Sequence, residues 1–238
     1  MPCCDCGRSS DMSRPLRLPC ELSPHNAAME VRNGVLHHLE PPRKKVAITG
    51  AGKSLSDLPL YSDEFEVWGI NNFWNALRDN EGRLRADRWF ELHTPTEPIQ
   101  DKYDMEWLRE CPVPIYTTEP FPKNKNAIVF PVEMLSEHYR PYFSCTFAYQ
   151  IALCLAEGIE ELAVHGLELA YGTQREATVE RACVNWWLGL AEGQGMKITI
   201  PENDFVLDHF GLYGFEYWAE ANTVKQYVGS LIGRKVAE

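Results

Sequence analysis

The residues of this chain that can do chemistry fall in short clusters, the first being Gly50-Ala51-Gly52-Lys53-Ser54. Glycines followed by Lys and Ser bring backbone N–H groups, a cation and a hydroxyl against a phosphate. Asn71 and Asn72 come next, then Glu91 and His93, Ser144 and Thr146, and His165 and Glu168, with Arg175 and Arg181 beyond. An imidazole titrates near neutrality and can accept a hydroxyl proton, so His93 and His165 are the candidate general bases. Lys53, Arg175 and Arg181 are candidates to neutralise a leaving phosphate. No Asp-x-Asp pair follows a strand-like run, so no metal and no separate cofactor is expected.

Spacing narrows the choices. Ala47 with Gly52-Lys53-Ser54 fits the loosest phosphate-loop pattern of an ATPase, which needs a strand before its first position and a long helix after the Ser. Val46–Thr49 is the β-prone run here and Pro41-Pro42-Arg43-Lys44-Lys45 precedes it, so Ala47 lies inside the strand. Pro59 stops any helix about a turn after Ser54. The parse that survives is strand Val46–Thr49, a tight turn over Gly50–Leu55, and Ser56 with Asp57 capping a short helical turn. A dinucleotide fingerprint fails twice: its third glycine falls on Leu55, and its acidic ribose ligand on Asn71.

The elements that must position these residues alternate short β-prone runs with helical stretches, the pattern of an α/β, Rossmann-like three-layer fold whose mostly parallel sheet is flanked by helices. Strands are expected at Val46–Thr49, Glu66–Ile70, Arg88–Leu92, Ile115–Thr117, Leu162–His165 and Lys197–Ile200, and helices at Thr146–Glu157 and Glu176–Glu192. Residues 43–216 form the nucleotide-binding domain, 1–42 a flexible extension, and 217–238 a C-terminal helix packing on the domain. In such sheets ligands sit at the carboxyl ends of the strands, where Gly50–Ser54, Asn71–Asn72, Glu91 with His93, and His165 with Glu168 fall. Ser144 and Thr146 open a helix, whose N-terminus favours an anion. Each residue also has a plainer role. The glycines serve a turn needing positive φ; Asn71-Asn72 caps a helix over Phe73–Arg78; His165, between Val164 and Gly166, is buried and structural; His93 is a loop histidine, set beside Glu91 at i+2.

Composition excludes other classes. A net charge of −11 on 238 residues leaves no basic field for nucleic acid. No run approaches the ~20 apolar residues of a membrane span, and no signal-peptide core opens the chain, so a cytoplasmic protein without membrane partners is expected. Cys3, Cys6, Cys20 and His25 form an incomplete zinc set, leaving zinc binding and a flexible tail both open, with Met29 as an alternative start. Cys111, Cys145, Cys154 and Cys183 read as small core hydrophobes. The oligomeric state is not set by the sequence.

The ordered motifs Gly50-x-Gly52-x-Ser54-Leu55, Ile70-Asn71-Asn72-Phe73, Ser144-Cys145-Thr146, Gly158-x-x-Glu161-Leu162 and His165-Gly166-Leu167-Glu168 together resemble the bacterial CMP-sialic-acid-dependent sialyltransferases. They are similar too to motility accessory-factor glycosyltransferases and to bacteriophage proteins of like pattern, over about residues 44 to 203. The resemblance implies a nucleotide-sugar glycosyltransferase whose donor is met by Gly50, Gly52 and Ser54, by Asn71, and by Ser144 and Thr146; Lys53, Asn72 and Glu168 adjoin them. Two departures stand out. The family's lid histidine has no counterpart in Ala170–Thr178, and Glu168 replaces Asp. A nucleotide-binding or nucleotide-hydrolysing protein without sugar transfer is therefore the alternative.

Overall fold

The computed structural model describes residues 29–38, 43–58, 64–93, 104–120, 124–169, 173–201 and 206–207. The amino-terminal cysteines, the expected C-terminal helix and residues 170–172 of the stretch matched to the family's lid lie outside them. Nine strands and four α-helices are seen among the described residues: β1 Met29–Arg32, β2 Val35–His38, β3 Lys45–Thr49, β4 Phe65–Ile70, β5 Arg88–Glu91, α1 Met105–Glu110, β6 Ile115–Thr117, β7 Ala127–Val129, α2 Val132–His138, α3 Thr146–Ala156, β8 Glu161–His165, α4 Arg181–Gly193 and β9 Lys197–Thr199. Seven form one sheet in the order β7-β6-β5-β4-β3-β8-β9, and the described pairings in it are parallel. This is the Rossmann-like α/β architecture. The chain steps outward from β3 to β7 and returns to pair β8 on the other side of β3, so strand order reverses between β3 and β8.

By compactness the chain divides into two units, Met1–Arg43 with Leu60–Pro131 and Lys44–Pro59 with Val132–Glu238. In the first, rings from three adjoining strands make the core. Trp68 lies 5.2 Å from Phe90 and Phe90 4.8 Å from Tyr116, centroid to centroid. Within the stretch read as an extension, β1 and β2 pair as an antiparallel hairpin turning through Asn33 and Gly34, both at positive φ. The three-residue β7, with one buried residue, was not foreseen either.

The first unit also buries charge. Asp87 is fully buried, accepts from Val67 N–H at 2.8 Å and meets Arg43 at 3.4 Å. Burial pushes its carboxyl up to about 7, with the Glu66 charge adding and Arg43 opposing. Between its ordinary value and about 7 the folded chain holds a proton that the unfolded chain has shed, so this group's contribution to stability falls as pH rises through that window. Chemical denaturation of Asp87→Asn between pH 4 and 7 is expected to show a shallower fall than the parent.

In the second unit α3 and α4 pack on one another and on β3 and β9. Val46, Ile48, Leu162, Val164, Ile151 and Trp187 are fully buried, and Trp187 donates its indole N–H to the Tyr142 carbonyl at 2.6 Å. The helix expected over Glu176–Glu192 is two elements: a π-helical turn Glu176–Glu180 and then α4. No helix among the described residues is long and apolar enough to cross a membrane.

Candidate functional site

In the first unit, β4 and β5 run in register with Ile70 opposite Phe90, so Asn71 and the Glu91–His93 segment leave adjoining strand ends. Asn71 does not cap a helix. It sits in the left-handed region at φ 49, and the turn that follows, Trp74–Leu77, is a 3-10 helix with no side-chain cap. Gly69 explains how Asn71 is held. A Cβ there would lie 2.2 Å from the Trp89 ring, so only glycine lets that indole cross β4. The indole N–H then donates to the Asn71 carbonyl at 2.9 Å, and Asn71 N–H donates to Phe90 O at 2.9 Å. With its backbone fixed, Asn71 keeps a buried Oδ1 that has no hydrogen-bond partner. Asn72 is occupied otherwise: its Oδ1 accepts from Asp104 N–H at 3.3 Å, while Asp104 caps α1 through Trp107 N–H.

Beside Asn71, the Glu91 carboxylate takes a hydrogen from His93 Nδ1 at 2.6 Å and from His93 N–H at 3.2 Å. Glu91 is buried, whereas the His93 side chain is one-third exposed. The carboxylate favours the tautomer with Nδ1 protonated, in which Nε2 is the basic ring nitrogen. Glu91 Oε2, like Asn71 Oδ1, is buried without a partner, and a ligand bearing donors would satisfy both.

In the second unit, Thr49 pairs with His165, so the turns after β3 and β8 leave side by side at the reversal of strand order. The turn after β3 is a 3-10 segment, Lys53–Asp57, ending at Leu58; Ser56 and Asp57 lie inside it and do not cap a further turn. Ala47 is within β3, which disposes of the phosphate-loop frame. The glycines serve close packing, with no positive φ. Gly52 has φ −72, and a Cβ on Gly50 would lie 2.3 Å from the Gly166 carbonyl oxygen. The positive φ of the seam is at Gly166, +72.

This packing engages three of the turn's backbone donors. Gly50 N–H goes to His165 O at 2.8 Å, Gly52 N–H to Gly166 O at 2.9 Å and Lys53 N–H to Glu168 Oε1 at 2.8 Å. Ser54 is fully buried and its hydroxyl accepts from Gly166 N–H at 2.5 Å. Gly50, Gly52, Lys53 and Ser54, the residues expected to meet a phosphate, form a seam binding two turns together, and Glu168 is part of it. His165 belongs there as well, buried with Nδ1 3.2 Å from the Ser54 carbonyl. Arg181 is buried and donates from Nε to Val206 O.

The first turn of α3 fits an anion better. Its N-cap is Cys145, whose side chain makes no capping bond, and Ser144 and Thr146 flank it half-buried. Phe147 reaches to 3.1 Å of the Cβ position on Gly50, which sets the helix start at the strand-order reversal. Exposed Arg175 reaches the Ser144 carbonyl at 3.4 Å, and its Nε meets Glu180 at 3.0 Å. Ser144 Oγ contacts the Val179 carbonyl of the π-helical turn at 3.5 Å. Helix dipole, half-buried hydroxyls and a guanidinium thus converge, with Glu180 moderating the positive charge. Burial raises the Cys145 thiol to about 12, so it is not a nucleophile here. Sequence reasoning missed one residue of this region. Gln150 is fully buried with neither amide atom partnered, and an amide amid Phe147, Ile151 and Cys154 was the available signal. Among the described residues no group of three His, Cys, Asp or Glu could hold a metal ion.

No protein-family model matches the chain, and no curated protein does. In structure it is similar to the sialyltransferase CstII from Campylobacter jejuni in complex with the substrate analogue cytidine-5'-monophosphate, at 15% identity over 68% of this chain and 81% of that one, with a TM-score of 0.44. The same enzyme with CMP-3FNeuAc gives 16% identity, coverage of 66% and 79%, and a TM-score of 0.43. The CST-II sialyltransferase with trisaccharide acceptor and CMP gives 15%, 66%, 80% and 0.43. The likeness is one of fold alone; residue roles here rest on geometry within this chain.

Proposed function

We propose that this protein transfers a sugar from a nucleotide-activated donor to a hydroxyl acceptor. The observation that carries this reading is the Glu91–His93 pair at the end of β5, an imidazole oriented by a buried carboxylate. Its Nε2 takes the acceptor proton as that oxygen bonds the anomeric carbon and the sugar–phosphate bond breaks. The departing phosphate gains charge, which hydrogen-bond donors or a cation must offset; within the second unit the α3 N-terminus and Arg175 have that chemistry. No divalent ion is assigned to the leaving group, since no Asp-x-Asp pair closes a strand. In its finer form the donor is CMP-sialic acid, supported by the order of the sequence motifs. The competing reading is nucleotide hydrolysis, favoured by the lack of any His in Thr173–Thr178, with water in the acceptor's place.

A thermal-shift screen against CMP, UDP, GDP and their sugars, beside NAD and ATP, tests donor binding. A ligand at a hundredfold its dissociation constant adds about 2.7 kcal/mol, or roughly 5–10 °C for a chain of this size. The expected response is to a nucleotide sugar; a response to ATP with Mg²⁺ alone would instead restore the phosphate-loop frame.

A further inference from the structure

We propose that Gln150 reads the nucleobase of the ligand held at the α3 N-terminus, an inference that rests on the nucleotide reading above. A buried polar group left unpaired costs about 1–3 kcal/mol, and in native structures such groups are few. Gln150 leaves two such atoms, Nε2 and Oε1, with the residue fully buried. Its place on α3 gives the direction we infer for them. It follows Thr146 by four residues on the same helix face, and long helical side chains lean over the turn on their N-terminal side. By that rule the amide is assigned to the side of the first turn, where Ser144 and Thr146 stand and Arg175 reaches the Ser144 carbonyl. The π-helical turn touching Ser144 is a second irregularity there, of a kind that recurs at functional sites.

The two orphan atoms define the ligand chemistry. A phosphate only accepts hydrogen bonds, so it would pair Nε2 and leave Oε1 unmet. An edge presenting a donor beside an acceptor satisfies both at once, and nucleobases carry such edges, which Asn and Gln amides pair bidentately. A site built around a buried polar pair also rejects analogues lacking the partner. Gln150 accordingly separates nucleotides from sugar phosphates that have no base.

The test is calorimetric titration of CMP, UMP, AMP, GMP and ribose 5-phosphate into the full chain and into Gln150→Met, which has similar volume and no amide. In the parent, at least one nucleotide should bind tenfold or more tighter than ribose 5-phosphate. In Gln150→Met that advantage should collapse by tenfold or more, with ribose 5-phosphate affinity kept and Tm equal or higher, because an apolar group replaces unpaired polar atoms. An undiminished nucleotide preference, or a variant that melts several degrees lower or does not fold, overturns the assignment and makes the amide structural. Failure of every nucleotide to bind the parent removes the nucleotide reading itself, and this inference with it.

Discussion

His93→Asn is expected to cut turnover of a nucleotide sugar by about 10²-fold or more while leaving donor affinity nearly unchanged, the usual scale for loss of a general base. Asn keeps a polar group near Glu91 but has no titratable nitrogen. Glu91→Gln should lower kcat by less, since a neutral amide oxygen still accepts from Nδ1–H at the position now 2.6 Å away. A merely structural pair would lower Tm in both variants and leave turnover of the folded fraction in place. His165→Asn is the contrast: its ring faces the buried Ser54 carbonyl, so stability should fall and the chemical step should not.

The second large effect is on the fold. Gly50→Ala puts a Cβ 2.3 Å from the Gly166 carbonyl oxygen and 3.1 Å from the Phe147 ring, and the first of these neighbours is backbone that cannot swing away. The two turns must part, breaking the Gly50-to-His165 and Gly52-to-Gly166 bonds that join them. A loss of about 3 kcal/mol is expected, a decrease in Tm of roughly 6–12 °C for a chain of this length. Gly189→Ala is the control. Its Cβ would meet nothing within 4 Å in the interior of α4, and alanine there should gain about 1 kcal/mol from helix propensity. If Gly50→Ala melts with the parent, the seam does not hold the turns as described.

What could be foreseen in the sequence follows from how each element is encoded. The buried parallel strands announced themselves as β-branched and aromatic runs, and β3, β4, β5, β6, β8 and β9 appear within a residue or so of their expected limits. The α3 helix was legible because Phe147, Ile151 and Leu155 repeat at helical spacing before Gly158. The hairpin β1–β2 and the strand β7 were not: β2 and β7 are short and carry mostly exposed or half-exposed residues, and β1–β2 falls in a stretch whose polar, Pro-rich flanks read as loop. At the site, the Glu91–His93 pairing was readable from i+2 spacing. The glycines misled: a sequence shows that a turn needs no side chain, but not whether the reason is a ligand, a positive φ or another chain segment. Only coordinates show that Gly50 and Gly52 yield to Gly166 and that their N–H groups are already given away. Gln150 is the converse case, a polar residue hidden in an apolar face whose lack of partners no pattern can reveal.

The most direct measurement is product analysis after incubating the purified chain with CMP-sialic acid and, in parallel, UDP- and GDP-sugars, each with and without a hydroxylic acceptor and each with a chelator present. Sugar appearing on the acceptor, nucleotide released in equal amount, and both suppressed about a hundredfold by His93→Asn is the result predicted. Nucleotide release that is indifferent to acceptor and yields only free sugar would make the chain a hydrolase, and no release from any donor would contradict the transferase account.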